Sequence, residues 1–257
     1  GTSGPWPSPH NNPSSAIINP TREVGEEGVP GRVVLTFARS DYHYLCRLVG
    51  ARGQPRYLWD CAFREGSWQG RPLTVVAPAV GAPYAVMVLE KLIVLGARLV
   101  LALGWCGSLQ PRLKIGALVL PAGAVCGDGT SPHYSLKEGE ARPDKVLSGL
   151  LEDHLKAGEA NWQKGPIWTT DAFYRETAEL VRHYQSQGIL GVDLELGALF
   201  TVGRFRGIPV AGLLVVSDEL GDLRWRPGYR QGRFRRGREL AARIVLDTAA
   251  AWEGDDA

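Results

Sequence analysis

The sequence has few cysteines, almost no net charge and no long hydrophobic run, and each of these absences excludes a class of protein. The four cysteines, Cys46, Cys61, Cys106 and Cys126, show no C-x-x-C or similar spacing, which argues against a disulfide framework or a zinc site. A net charge of +2 implies neither a nucleic-acid partner nor a membrane surface. No apolar run has the uninterrupted length of a membrane span. With no recognisable signal peptide, we expect reduced thiols in a cytoplasmic protein.

What remains is the composition of a globular protein. The chain has 257 residues, of which 44% are hydrophobic and 22% charged, enough for a sizeable core. Residues 1–30 are rich in proline and lack hydrophobic periodicity, which predicts an extended arm. In residues 31–257, short β-rich runs alternate with helical patterns. This alternation predicts a single α/β domain with three layers, α/β/α, around a central mixed sheet.

The pattern also predicts where the elements lie. Strands are expected at 33–37, 99–103, 118–122, 167–170, 192–194 and 210–216, with a hairpin formed by 57–61 and 73–79 around "REGSWQG". Helices are expected at 83–95, 174–187, 197–205 and 231–251. Another helix is predicted at 41–49, opened by Ser40 or Asp41 as its cap.

Two acids in "GVDLELGALF", at 191–200, raise the question of function. Asp193 and Glu195 lie in an otherwise apolar run, where a carboxylate without a partner is costly. In a strand, positions two apart point to the same face, so both acids would face one cleft. A second apolar strand ends in Ser217 and Asp218, where ligands of open α/β sheets usually bind. The alternative is that Ser217 or Asp218 simply caps a turn.

Five motifs stand out along the chain. The longest is "LGARLVLALGWCGSLQPRLKIGALVLPAGAVCGDGTSPHY". The other four are "VGAP" at 80–83, "TTDAFY" at 169–174, "VDLELGALF" at 192–200 and "VVSD" at 215–218. Together, and in their order along the chain, they resemble the nucleoside phosphorylase-I superfamily of purine nucleoside phosphorylases, uridine phosphorylases and nucleosidases. The resemblance covers roughly 33–218 and implies a phosphorylase-like fold and cleavage of the N-glycosidic bond of a nucleoside.

The resemblance also implies roles for individual residues. Glu195 matches the acid that accepts hydrogen bonds from the ribose 2′- and 3′-hydroxyls, and Leu194 matches a residue that packs on the sugar. Asp218 matches the general acid and hydrogen-bond partner at N7 of a purine, with Ser217 orienting it. Phe173 matches an aromatic side chain that stacks on the base, although filling the core is the more usual role of a lone phenylalanine.

The phosphate-binding motifs of the family are altered in this sequence. The segment "ALGWCG" at 102–107 stands where the family has R-V-G-[TS]-x-G, so the usual arginine is Ala102 and the hydroxyl residue is Trp105. Gly104, Trp105 and Cys106 are expected where the nucleophile and base pockets meet. Because charge-assisted bonds hold phosphate, their loss argues against a phosphate pocket of the usual kind.

Water is therefore an alternative nucleophile to phosphate. The early segment "FARSDY" is closer to the nucleosidases than to the phosphorylases of the family, and on this interpretation Asp41 would activate water. The competing interpretation of Asp41 is the helix cap. Arg39 or Arg56 would provide an anion site if phosphate is retained.

The remaining expectations concern ligands and partners. The stretch "RETAEL" does not match the uracil-reading segment of the family, so a purine or another base is expected rather than uracil. No cofactor or metal is implied, with phosphate as the potential co-substrate. The family predicts a homo-oligomer, whether dimer, trimer or hexamer. The arginine-rich segment 224–238 is interpreted as a solvated face, so a nucleic-acid partner is not expected, although the family allows one of its arginines to reach the site. Alternatively, the fold holds a nucleoside or base without turnover.

Overall fold

The computed structural model describes residues 16–134 and 141–254. Ten strands run through these residues: β1 (Arg32–Thr36), β2 (Arg56–Leu58), β3 (Cys61–Trp68), β4 (Arg71–Ala77), β5 (Leu99–Ser108), β6 (Leu118–Gly127), β7 (Trp162–Thr170), β8 (Gly191–Asp193), β9 (Val210–Glu219) and β10 (Arg226–Pro227). Six α-helices accompany them in the same residues: α1 (Arg39–Leu48), α2 (Ala82–Val94), α3 (Lys145–Ala157), α4 (Ala178–Ser186), α5 (Leu196–Arg206) and α6 (Gly232–Ala251).

The strands form one mixed sheet, in the order β10-β9-β6-β7-β8-β5-β1-β4-β3-β2, with β9 also paired to β5. This extra pairing closes β5, β9, β6, β7 and β8 into a ring. Within the ring β5 and β9 are parallel over most of their lengths, whereas β8 is antiparallel to β5. Strands β1 and β4 extend the parallel part outward from β5.

Helices cover both faces of the sheet, as the three-layer prediction requires. Helices α1 and α3 each contact α6 on one side, and α2 packs against α5 on the other. Strand β9 is buried along its whole length because it lies between these layers. Helix α2 begins with Pro83 in its first turn, where a missing N–H costs nothing.

Several predicted boundaries are wrong. Residues 57–61 span the turn between β2 and β3, and most of "REGSWQG" belongs to strand β3. Helix α1 starts earlier than predicted, with Ala38 as its N-cap, so neither Ser40 nor Asp41 caps it. The predicted helix 174–187 is a 3₁₀ turn at Phe173–Arg175 followed by α4, which Thr177 caps. Helix α3 was not predicted.

The described part of the proposed N-terminal arm lies against the domain. The backbone N–H of Val29 bonds to the carbonyl of Leu95, and Lys91 on α2 pairs with Glu26. Residues 1–15 lie outside the described residues. No helix in 16–134 or 141–254 combines the length and the apolar character needed to cross a bilayer.

Candidate active site

A cavity of about 230 Å³ opens where strands β5, β8 and β9 end, and it is smaller than most ligand pockets. Eight residues predicted for the site line it: Gly104, Trp105, Cys106, Phe173, Leu194, Glu195, Ser217 and Asp218. The structure thus places both candidate catalytic acids, which are 23 positions apart in the chain, in the wall of one cavity.

The junction between β8 and α5 positions Glu195. Strand β8 ends at Asp193, and Glu195 is the N-cap residue of α5 rather than part of a strand. One carboxylate oxygen of Glu195 accepts a 2.8 Å hydrogen bond from the backbone N–H of Gly81. Gly81 has a φ of +86°, a conformation that favours glycine, so the turn that presents this N–H depends on it.

Asp193 stabilises the same junction between β8 and α5. Its carboxylate accepts hydrogen bonds from the Thr169 hydroxyl, at 2.5 Å, and from the backbone N–H of Leu196, at 2.7 Å. Both carboxyls are buried, and burial raises the pKa of each above its usual range. The neighbouring Asp193 raises the pKa of Glu195 further. A ligand that donates hydrogen bonds to Glu195 would stabilise its charged form.

A bulge in strand β9 positions Asp218. Cys106 pairs with Val216, but the next residue, Gly107, pairs with Asp218, so Ser217 is the extra residue of the bulge. Bulges re-aim side chains beside active sites. The Ser217 hydroxyl lies 2.6 Å from one oxygen of Asp218, and the indole N–H of Trp225 donates to the other at 3.0 Å. Burial raises the pKa of Asp218.

Trp105 forms a wall of the cavity, and its side chain is held in place by contacts with other side chains. Its indole N–H donates to the carboxylate of Asp41 at 2.7 Å, and the same carboxylate accepts a bond from Arg238 at 2.6 Å. The Arg238 guanidinium lies 5.1 Å from the centre of the indole ring, and the Phe234 ring packs edge-on at 5.0 Å. Asp41 is therefore a buried, paired carboxylate outside the cavity lining. This placement argues against its predicted role as a water-activating base.

Two further site residues, Gly104 and Cys106, lie in closely packed surroundings on β5. A Cβ atom at Gly104 would lie 2.8 Å from the Leu214 side chain and 2.9 Å from the Phe37 ring, so any larger residue would force these side chains to shift. The Cys106 thiol is buried, and burial raises its pKa well above the usual value, which makes it a poor nucleophile. Phe173 lies in the 3₁₀ turn, with its ring centre 6.3 Å from that of Trp225.

The electrostatic character of the cavity is distinctive. Four carboxyl groups line it, those of Glu176, Asp193, Glu195 and Asp218, and no Lys, Arg or His among the described residues does. Such a lining suits a neutral ligand that donates hydrogen bonds and gains positive charge as it reacts. The described residues also contain no group of three or more His, Cys, Asp or Glu suited to a metal ion.

Two lining residues, Glu176 and Tyr229, and the indole donor Trp225 were not predicted. Glu176 lies within "RETAEL", where its departure from the uracil-reading pattern was a usable signal. Trp225 and Tyr229 lie in the arginine-rich segment, so that segment reaches the cavity through aromatic side chains. Arg238 of the same segment packs over the Trp105 ring and is not among the residues that line the cavity.

Comparison with known proteins decides the family. The sequence model described as the phosphorylase superfamily matches residues 47–250, most of the chain. The chain belongs to the phosphorylase superfamily. This membership confirms the resemblance found in the sequence motifs and the predicted fold class.

The proteins that this chain resembles are named for different nucleosides. A guanosine phosphorylase of Halorubrum lacusprofundi is 31% identical over 160 residues, 61% of this chain and 65% of the relative. A purine nucleoside phosphorylase of Photorhabdus laumondii is 28% identical over 60% of this chain and 66% of the relative. The matches thus span about two-thirds of these relatives. The crystal structure of uridine phosphorylase from Vibrio fischeri superposes with a TM-score of 0.82, at 25% identity, over 92% of this chain and 99% of that one.

Proposed function

We propose that this protein cleaves the N-glycosidic bond of a purine nucleoside. The observation that carries the proposal is that Glu195 and Asp218 line the same cavity, each buried and each with a raised pKa. The relatives named guanosine phosphorylase and purine nucleoside phosphorylase support the purine preference.

Glu195 binds the sugar in this proposal. Its carboxylate accepts hydrogen bonds from the ribose 2′- and 3′-hydroxyls, while Leu194 packs on the sugar. As the glycosidic bond breaks, the sugar becomes oxocarbenium-like, and a carboxylate beneath it stabilises the developing positive charge. Only the transition state carries this charge, so the interaction raises the rate rather than merely the affinity.

Asp218 acts on the base. The bonding electrons pass to the purine, and a proton from Asp218 to N7 allows the base to leave as a neutral molecule. Burial raises the pKa of Asp218, which keeps a larger fraction of the carboxyl protonated near neutral pH. The bond from Trp225 and the contact with Ser217 fix its orientation, and Phe173 provides the stacking surface for the base.

Phosphate and water are the two candidate nucleophiles. The relatives are phosphorylases, which favours transfer of the pentosyl group to phosphate. The cavity favours hydrolysis as a second candidate function, because no cationic side chain of the described residues lines it. Ala102, which stands where the family has its phosphate-binding arginine, is buried within β5. Arg56 is engaged with Glu65, whereas Arg39 is exposed one residue after Ala38, a lining residue.

The test is base release from adenosine, inosine, guanosine and uridine, each with and without phosphate. Release that requires phosphate establishes phosphorolysis, and Arg39→Ala should then raise the KM for phosphate. Release that ignores phosphate establishes hydrolysis. If every nucleoside raises the melting temperature and none loses its base, the protein is a binding protein on this fold and the proposal is wrong.

Glu195→Gln tests the role of the sugar-binding acid. We expect kcat/KM to fall about 100-fold or more, because the amide cannot supply the negative charge that stabilises the transition state. Glu159→Gln, at an exposed position, is the matched control and should leave kcat/KM unchanged. Full activity in Glu195→Gln would contradict the assignment.

A further inference from the structure

The arginine-rich segment 224–238 is a strongly charged surface that the proposed function leaves unexplained. It contains seven arginines and no lysine, aspartate or glutamate, although the whole chain has a net charge of only +2. Three of the arginines have an acidic partner: Arg226, Arg233 and Arg238. The other four are exposed and have no side-chain hydrogen bond, ion pair or ring contact with any described residue: Arg224, Arg230, Arg235 and Arg236. Their guanidinium groups are therefore available to an anionic partner.

The stability of helix α6 does not account for these arginines. Arg233, Arg235 and Arg236 lie near the N-terminal end of the helix, where the macrodipole favours acids and disfavours cations. The first turn contains no acid, and the N-cap residue Gln231 makes no capping side-chain hydrogen bond. The Arg236 side chain even extends back toward this end, because a Cβ atom at Gly232 would lie 3.4 Å from its guanidinium. Positive charge gathered at this end is unfavourable for the protein alone.

The backbone beneath the arginines is held by the sheet. Arg226–Pro227 form β10, which is antiparallel to the end of β9. At the same edge, Glu219 of β9 pairs with Lys114 at 3.2 Å, and the Arg233 guanidinium lies 4.0 Å from the Glu219 carboxylate. The cationic surface therefore has a defined shape and extends from the segment to the exposed Lys114.

Two exposed aromatic side chains stand among the arginines. Trp225 is 56% exposed and Tyr229 is 43% exposed. Both rings have neighbours that position them: the Trp225 indole N–H donates to Asp218 at 3.0 Å, and the Tyr229 ring centre lies 6.0 Å from that of Trp105. Exposed aromatic rings beside a cationic surface are typical of proteins that stack on unpaired bases.

This combination favours a nucleic-acid strand over other anionic partners. Guanidinium groups make bidentate bonds to phosphate, and exposed aromatic rings stack on bases that are not paired. A membrane surface would require an exposed apolar face on α6, but Phe234, the apolar residue among the arginines of that helix, is buried in the core. An acidic polypeptide offers carboxylates but no flat bases for the two rings.

We propose that segment 224–238 binds a single-stranded polynucleotide, RNA or DNA, instead of serving only as a solvated face. The exposed arginines contact phosphates of the strand, and Trp225 and Tyr229 stack on its bases. The strand passes the mouth of the cavity, because Tyr229 is part of the cavity lining. This binding uses no step of nucleoside cleavage, so it can be tested without turnover and independently of the proposed function.

The test is fluorescence anisotropy of the full chain with labelled oligouridylate and oligothymidylate of about 20 nucleotides, longer than the usual site of a single-strand-binding domain. About four phosphate contacts predict a slope of about −3 for log affinity against log salt concentration. A rise from about 50 to about 200 mM KCl should therefore weaken binding about 50-fold. The tighter of the two oligonucleotides identifies RNA or DNA as the preferred strand. Binding of neither at the lower salt concentration overturns the proposal.

Arg233→Ala, Arg235→Ala and Arg236→Ala combined in one variant test the segment itself. We expect binding at least about 10-fold weaker at low salt and a slope smaller in magnitude by about 2, because about three phosphate contacts are lost. Circular dichroism verifies that the variant is folded. Affinity and slope equal to those of the wild type would contradict the proposal.

The matched control replaces three exposed arginines outside the segment with alanine: Arg47, Arg52 and Arg182. It lowers the net charge by the same amount and should bind almost as tightly as the wild type. Equal weakening in the two triple variants would assign the binding to net charge and overturn the proposal.

Trp225→Ala tests whether the strand is bound through its bases. Loss of one stacking ring should lower the affinity about 5-fold or more and leave the salt slope unchanged, since no phosphate contact is removed. Unlabelled polyglutamate and phosphatidylserine vesicles should compete poorly with the oligonucleotides. If Trp225→Ala binds like the wild type, or if either competitor displaces the strand as well as unlabelled oligonucleotide does, the surface recognises charge alone and the proposal is wrong.

Discussion

Asp218 is the residue whose chemistry can be separated most cleanly from simple binding. A general acid is needed only when the leaving base must gain a proton, and 7-methylguanosine already carries a positive charge in its base. We expect Asp218→Asn to lower kcat/KM on guanosine by about 100-fold to 10,000-fold, within the usual range for general acid catalysis, and to have a small effect on 7-methylguanosine. Steady-state assays of both substrates measure the two ratios.

The control for this comparison is Asp222→Asn, which alters an exposed acid four residues away. It should leave both substrates unaffected. The pH dependence provides a second readout. Asp218 acts in its protonated form, so activity on guanosine should fall as pH rises through the raised pKa of Asp218, and this decline should be absent with 7-methylguanosine. Equal losses on both substrates in Asp218→Asn would show that Asp218 only binds.

The position of the Asp218 side chain depends on the pairing of β5 with β9. Gly107 lies at the bulge, and a Cβ atom there would approach the Leu220 side chain to 2.5 Å and an Asp218 oxygen to 3.1 Å. We therefore expect Gly107→Ala to displace Asp218 and to lower kcat by about 10-fold to 100-fold, because small errors in the position of a catalytic group are costly. Parallel measurement of kcat and melting temperature checks this.

Gly149→Ala is the matched substitution in helix α3. No described atom lies within 4 Å of the added Cβ, and alanine in a helix interior is favoured over glycine by about 0.5–1 kcal/mol. This variant should melt slightly higher and keep its activity. If Gly107→Ala keeps full activity, the bulge does not position Asp218.

Local sequence signals were sufficient to predict the boundaries of some helices and strands and insufficient for others. Helix α2 was predicted within one residue of its ends, because Pro83 and the apolar pattern mark it. Strands β5 and β9 run past their predicted ends because their pairing, a tertiary contact, extends them over 104–108 and 217–219. Helix α3 was missed although its signal was present: Asp144 caps it, and Leu147, Leu151 and Leu155 repeat every four residues on its buried face.

The architecture as a whole explains why part of the site could not be predicted. The motifs placed Glu195 and Asp218 because each lies at the end of a strand or helix with a recognisable pattern. The closure of five strands into a ring and the approach of Tyr229 and Trp225 to Asp218 arise from contacts between distant segments. The pairing of Asp41 with Arg238, 197 residues away, is of the same kind, and it argues against the role predicted for Asp41.

The ion pair between Asp41 and Arg238 should contribute to the stability of the entire molecule. It joins helix α1 to helix α6, and Asp41 also bonds to Trp105 on β5. Arg238→Ala leaves the Asp41 carboxylate buried with the Trp105 N–H as its remaining hydrogen-bond donor among the described residues. We expect a loss of about 3–5 kcal/mol in the free energy of unfolding, measured with urea at pH 8, since a buried charge without its partner is strongly unfavourable. Arg235→Ala, exposed on the same helix, should cost little.

The dependence of this loss on pH identifies Asp41 as its cause. Burial already raises the pKa of Asp41 in the presence of Arg238, whose charge acts to lower it, so removing Arg238 raises that pKa further. A folded-state pKa above the unfolded value means that stability is retained at low pH and lost as pH rises through the folded pKa. The loss caused by Arg238→Ala should therefore shrink between pH 8 and pH 5, and Asp41→Asn combined with Arg238→Ala should remove its pH dependence. A loss of equal size at both pH values would assign the role of Arg238 to its packing over Trp105 and Phe234 rather than to its charge.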